Sequence, residues 1–384
     1  MNQFGLVYNK VTAIKVKVKQ NKPVMINVPK FNDGFFTGES LKYILERVKF
    51  LKKYYRPIKL NIILSIGKVR FQDKITILML DMLLYDLAKI NNWKVNVSIE
   101  VDFKNNAFNH SIKSTSLYRT AWGNGLLDNE AFLKNFEQLV ITQEIYRRYV
   151  KREIFDKKPD IISSICSDID TFLSGLFHDD KWIDEVCEAI AELIDNTYAH
   201  TESDCLIDIN VGEFSDPDDK QYKMLNIAII NFAEKRIFDQ IKENIIEKKY
   251  PEHDELYQDV YKAYDNHKIF FDEEYNEDDF FNITAFQNGV TTRRLNSGNS
   301  GTGLTSLLRN IVGKTQESYS YVLSGDNIIF FHDKYLEVNN RFIGFNEEKD
   351  YINSKPDRLV IAKSSLYIPG TFFHLSLLRE KENE

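Results

Sequence analysis

Cysteine is scarce in this chain, with three in 384 residues. Cys166, Cys187 and Cys205 are odd in number and widely spaced, so neither a disulfide framework nor a zinc-ligand pattern follows, and a reducing compartment is the natural setting. No apolar run approaches the roughly 20 residues needed to span a bilayer. The first residues also lack the basic-then-apolar pattern of a leader, so we expect a cytoplasmic protein and exclude a membrane-bound sensor. Internal repeats and low-complexity tracts are missing as well. Basic excess is lacking too: 50 Lys and Arg stand against 57 Asp and Glu, a net charge of −7, which argues against a general nucleic-acid binder. The short run Lys15, Lys17, Lys19, Lys22 reads as one solvated strand face. At this length two domains are expected, each with enough residues for a core.

What is present begins with a helix. From Trp182 onward, Val186, Ala189, Ile190, Leu193, Ile194 and Thr197 recur at helical spacing and form a stripe suited to packing on a sheet. Glu185, Glu188, Glu192, Asp195 and Asn196 fall largely outside it, and taken singly each reads as part of a solvated acidic face. About a hundred residues later comes Gly298-Asn-Ser-Gly301-Thr302-Gly303-Leu304. Its glycines permit positive φ and close backbone approach, so successive amides can face a phosphate at a helix N-terminus, and Leu304, Leu307, Leu308 and Ile311 continue at helical spacing. Strands are predicted over 224–230, over a hairpin 319–332 turning at Gly325-Asp326, and over a final stretch starting at Gly370-Thr371.

The segment Glu192-Leu-Ile-Asp-Asn196-Thr-Tyr-Ala-His200 resembles the N box of the GHKL ATPases, the superfamily of gyrase, the heat-shock chaperone, mismatch-repair ATPases and histidine kinases. Gly301-Thr302-Gly303-Leu304 resembles its phosphate-binding glycine box, and Gly370-Thr371 its closing Gly-Thr. The resemblance implies a Bergerat-type ATP-binding fold over residues 161–384, with helices on one face of a mixed sheet and a long lid insertion over about 236–297. By the same resemblance, Asn196 is the magnesium ligand, a hard oxygen donor for a hard cation, and Glu192 the candidate base toward the γ-phosphate. Gly298, Gly301, Thr302, Gly303 and Leu304 would then cradle phosphates, with Thr371 near the adenine. His200 receives no catalytic role. One box departs: where the superfamily has D-x-G-x-G, this chain has Asn231-Phe-Ala-Glu-Lys235, so a neutral Asn231 would accept from the adenine amino group and both glycines are missing.

Residues 1–103 read as a smaller α/β unit. Strands are expected over 11–18, 23–28, 57–66 and 93–101, with helices over 39–55 and 73–90, an alternation that implies parallel pairing. The succession from Lys59 to Val97 resembles STAS domains, the fold of anti-sigma-factor antagonists, although neither Ser65 nor Thr76 sits in a phosphoacceptor motif. Residues 104–160 are expected as a connector with a helix over 129–151, whose basic end, Arg147-Arg148 and Lys151-Arg152, is solvated. The insertion's acidic-aromatic run, 270–281, reads either as a solvated cover of the pocket or as a docking surface for a basic partner.

Two function classes follow. The first is a magnesium-dependent ATPase, or a serine/threonine protein kinase like the anti-sigma factors, acting in a cytosolic regulatory system. The second is a non-catalytic switch in which ATP orders the lid and changes the affinity for a protein partner or a second subunit.

Overall fold

The computed structural model describes the chain except residues 1–3, 104–107, 122–123, 202, 216–219, 237, 291–302, 314–319 and 381–384. It is a mixed α/β protein. The N-terminal part runs α1 (Gly5–Asn9), β1 (Val24–Asn27), β2 (Phe35–Phe36), α2 (Gly38–Tyr55), β3 (Leu60–Phe71), α3 (Lys74–Ala88) and β4 (Trp93–Val101). There follow α4 (Asn109–Lys113), α5 (Ser116–Ala121), β5 (Asn124–Leu126) and α6 (Asn129–Glu137). Strands β1, β3 and β4 pair in parallel, with β2 parallel to β3 and β5 closing the edge antiparallel to β4. Strict alternation along β4, with Trp93, Val95, Val97, Ile99 and Val101 inward and Lys94 and Glu100 outward, marks a sheet covered on one face. Asp73 caps α3, its carboxylate accepting the Thr76 amide at 2.7 Å.

Helix α3 is buried at every one of its 15 residues, which is why its sequence is apolar all round apart from Lys74, Thr76, Asp81 and Asp86. It lies between two sheets. Residues 11–18, expected as a strand, form none. Their Val11 and Val16 are buried while the lysines face water, and the Ile14 amide donates to the Glu46 carbonyl of α2 at 3.1 Å.

The rest runs β6 (Val140–Ile141), β7 (Ile145–Val150), α7 (Arg152–Lys157), α8 (Ile161–Ser174), α9 (Asp180–Thr201), β8 (Cys205–Ser215) and β9 (Gln221–Asn231). Then come α10 (Asp239–Ile246), α11 (Glu255–His267), α12 (Glu277–Thr284), α13 (Gly303–Ile311), β10 (Tyr321–Phe330), β11 (Val338–Asn339), β12 (Phe342–Ile343) and β13 (Ile361–Glu380). Six strands form a sheet in the order β10-β13-β9-β8-β7-β6. Every pairing in it is antiparallel, which corrects the expected mixed sheet.

Helices cover both of its faces, not one. Ile207, Ile209, Leu225, Ile227, Phe373 and Leu375 face α8, α9 and α13, while Leu206, Ala228, Ile230 and Phe372 share a core with the N-terminal part. The expected helix over 129–151 ends at Glu137. The β-branched and aromatic residues of Ile145–Val150 instead pair with β8, and a turn in which the Thr142 amide donates to the Ile145 carbonyl at 2.8 Å joins β6 to β7. Within the expected hairpin over 319–332, residues 321–330 form one continuous strand, β10, whose register against β13 slips at Gly325 (φ +69°), a bulge where a turn was anticipated.

Two further readings change. Tyr275, Phe280 and Phe281 of the acidic-aromatic run are buried, so that run presents few aromatics to a partner. The described part of the insertion, α10 to α12, packs as a helical layer on the same core. No helix among the described residues is long and apolar enough to cross a membrane.

Candidate functional site

Residue parity sets the site. On β8, β9 and β13 the odd positions face α9, so Cys205, Asn231 and Thr371, in register across three neighbouring strands, all point toward that helix. Asn231, almost fully buried, donates from Nδ2 to the Thr197 hydroxyl of α9 at 3.2 Å and accepts at Oδ1 from the Thr371 amide at 3.2 Å. The Thr197 hydroxyl in turn donates to the Leu193 carbonyl at 3.0 Å. Asn231 therefore braces α9 against β13, and its carbonyl oxygen keeps one lone pair beyond that brace. Thr197, known from sequence only as part of an apolar stripe, is the residue that completes this chain of bonds.

Beside Thr197 on α9, Asn196 Nδ2 donates to Oε1 of Glu192, one turn earlier, at 2.8 Å. A carboxylate can only accept, so this bond turns the Asn196 amide nitrogen toward Glu192 and its oxygen away from it. Helix α13 lies against α9, with Leu304, Leu307, Leu308 and Ile311 buried in the shared core. Thr305 fixes its first turn by donating to the Phe286 carbonyl at 2.8 Å. Gly303 opens α13, whereas Gly298, Gly301 and Thr302 lie outside the described residues, as does the side chain of His200. Leu304 is a core residue here.

Gly370 adopts φ +115°, and a β-carbon there would sit 2.1 Å from the Asn231 carbonyl oxygen and 2.9 Å from Phe232 Cα. Only glycine lets β13 cross that close to the end of β9. The Thr371 hydroxyl beside it is buried with no hydrogen-bond partner among the described residues. Gly370→Ala is expected to lower the unfolding free energy by about 3 kcal/mol, combining strain and clash. At Gly313 (φ +74°) nothing lies within 4 Å, so alanine there should cost only about 1 kcal/mol. Equal losses at the two sites in urea titrations would remove the close-approach argument.

Cys205 completes the row. Burial pushes its thiol up to about 12, so it is a packing group. All three cysteines are free. Among the described residues no group of three or more His, Cys, Asp or Glu is placed to hold a metal ion.

The opposite face of the sheet holds what the sequence did not reveal. Arg147, expected in a solvated helix end, is fully buried between Asp81 (2.6 Å) and Asp208 (3.0 Å). Lys74 of α3 reaches Asp208 at 2.8 Å, the Asn210 side-chain oxygen at 2.6 Å and the Asn226 carbonyl at 2.8 Å. Burial pulls the Lys74 ammonium down to about 8. Burial alone would raise the Asp208 carboxyl, and the charges of Lys74 and Arg147 more than offset this, so it lies below its ordinary value. Two cations and two carboxylates thus form a closed, neutral quartet between the two halves of the chain.

No protein-family model matches this chain, and no curated protein or solved structure shows significant similarity to it.

Proposed function

We propose that this chain binds magnesium–ATP in a GHKL-type, Bergerat-like unit, and that it hydrolyses the nucleotide or passes its γ-phosphate to a protein in a cytoplasmic regulatory system. The observation that carries the reading is the orientation of Asn196, whose amide nitrogen is held by Glu192 at 2.8 Å and whose oxygen is thereby available to a hard cation. The ion would be held by Asn196 together with phosphate oxygens and water, the usual habit of magnesium, since no cluster of protein carboxylates is placed for a metal among the described residues. The Thr197–Asn231–Thr371 chain and the unpartnered Thr371 hydroxyl fit a base-binding floor, and the glycine segment ahead of α13 fits a phosphate cradle. Bound magnesium–ATP would supply the electrophilic phosphorus. Glu192, with a second carboxylate oxygen beyond the one that holds Asn196, would orient the attacking water or hydroxyl and take its proton. In the N-terminal part, parallel strands with α2 and α3 as crossovers are compatible with a STAS-like neighbour.

A second reading, an ATP-gated switch without chemistry, is favoured by Asn231. Its amide nitrogen and one lone pair of its oxygen are committed to bracing the fold, which weakens it as an adenine acceptor.

Calorimetry and γ-phosphate release separate the two. Asn196→Ala is expected to weaken ATP binding in magnesium at least tenfold, about 1.4 kcal/mol. Glu192→Gln, which can still accept from Asn196, should keep binding and lower turnover on the order of a hundredfold. Background release in the wild type with magnesium-dependent binding would leave the switch alone standing. Binding indifferent to both magnesium and Asn196→Ala would end both readings.

A further inference from the structure

The whole-chain charge conceals a partition. Residues 1–103 hold 18 Lys and Arg against 8 Asp and Glu, a net +10, while the remainder holds 32 against 49, a net −17. Part of that basic excess is gathered at one place. A groove of about 950 Å³ opens where β3 and β4 begin, lined by Lys19, Lys22, Lys59 and Lys94 and by no acidic residue. All four lysines are exposed, and none is ion-paired among the described residues. The groove also carries five carboxamides, Asn61 and Asn92 among them, with the ring of Tyr55 and the 49 % exposed side chain of Ile58.

We infer that this groove binds a single-stranded nucleic acid. The bland alternative is that the lysines merely neutralise the carbonyl ends of α2 and α3, which finish beside the groove at Tyr55 and Ala88. Two such ends amount to about one negative charge, and four cations exceed that, leaving a positive surplus for phosphates. Carboxamides offer donors and acceptors to base edges and sugars, and an aromatic ring beside an apolar side chain offers faces on which bases stack. An anionic membrane fits a concave, amide-rich surface poorly. An acidic peptide would be expected to meet arginine forks, and the cations lining the groove are all lysines. The reading is independent of ATP binding, and it departs from the expectation that the average charge sets for nucleic acid.

Fluorescence anisotropy of a labelled 12-residue oligouridylate, with oligothymidylate as a second arm, tests this on the full chain. Binding at 50 mM salt should weaken with a log–log salt slope of roughly −3 for four neutralised phosphates at about 0.7 each. The variant K19Q/K22Q/K59Q/K94Q should lose affinity at least tenfold and flatten that slope, with an unchanged unfolding midpoint because all four positions are exposed. The corresponding Lys→Arg variant should bind like the wild type. No binding, or equal binding by the glutamine variant, overturns the proposal. So does a result in which polyglutamate or phosphatidylserine vesicles displace the strand as well as unlabelled strand does, since the groove would then serve an acidic peptide or a lipid surface.

Discussion

Replacing Arg147 with methionine should lower the unfolding free energy by about 3–5 kcal/mol. The guanidinium is sealed from water, donates to Asp81 and Asp208, and lies over the Phe136 ring at 4.9 Å. Its removal leaves two carboxylates in the interior without the cation that bridged them, with Lys74 the closest remaining counter-charge and Arg119 acting from further off, and an undercompensated buried charge is among the most damaging single changes available. The neighbouring residue provides the control. Arg148 pairs with Asp168 at 2.7 Å, but with side chains 19 % and 35 % exposed, so Arg148→Met should cost under about 1 kcal/mol. Adding Asp81→Asn to Arg147→Met removes one unbalanced charge and should recover part of the loss. Urea unfolding of the four proteins reads these differences directly. A loss below about 1 kcal/mol for Arg147→Met would mean that the quartet contributes nothing to joining the two halves.

Lowering the pH from 6.5 to 5 should remove up to about 3 kcal/mol of stability through buried imidazoles. Two histidines are responsible. His374 is fully buried on β13, with neither ring nitrogen partnered among the described residues, and burial together with the Lys74 charge holds its pKa well below the ordinary value. His267 is buried on α11, and burial lowers its pKa too. Its Nε2 lies 2.9 Å from the Tyr351 carbonyl, which can only accept, so the proton sits there and Nδ1 accepts from the Tyr275 hydroxyl at 2.6 Å.

In the unfolded chain both imidazoles protonate near pH 6.5, whereas in the folded chain they stay neutral further down. As the pH falls through that window the unfolded state binds more protons, so stability declines, by at most about 1.4 kcal/mol per pH unit for each histidine. His374→Leu removes an unpartnered polar ring from the core, and should halve the slope without costing stability at pH 7. An unchanged slope in that variant would place the proton uptake elsewhere.

The legible parts of this chain share one property: their partners lie close in sequence or repeat with a fixed period. The stripe from Val186 to Thr197 places α9, the alternation from Trp93 to Val101 places β4, and the run from Leu304 to Ile311 places α13. The i to i+4 pair Glu192 and Asn196 needs nothing but helical geometry to meet. What failed to read had partners far away. Arg147 looks like a solvated cation because Asp81 and Asp208 are 66 and 61 residues distant. The aromatics at 275–281 look exposed among their acidic neighbours, yet Tyr275 meets His267 and Phe280 stacks with Tyr351 at 5.9 Å. The hairpin expected at Gly325-Asp326 became a bulge because β13 is long enough to pair on both sides of it.

The sequence by itself determined where α2, α3, α9, α13, β4 and β9 form, that no apolar run is long enough to span a bilayer, and which carboxylate and carboxamide stand together on α9. Local periodicity and side-chain chemistry suffice for these. The tertiary structure alone decided that the six-stranded sheet is antiparallel and helix-covered on both faces, that Thr197, Asn231 and Thr371 close into one hydrogen-bonded chain, and that four charges are sealed between the halves. Those outcomes depend on which distant surfaces exclude water together, and burial of that kind leaves no signature in the residues near any one of them.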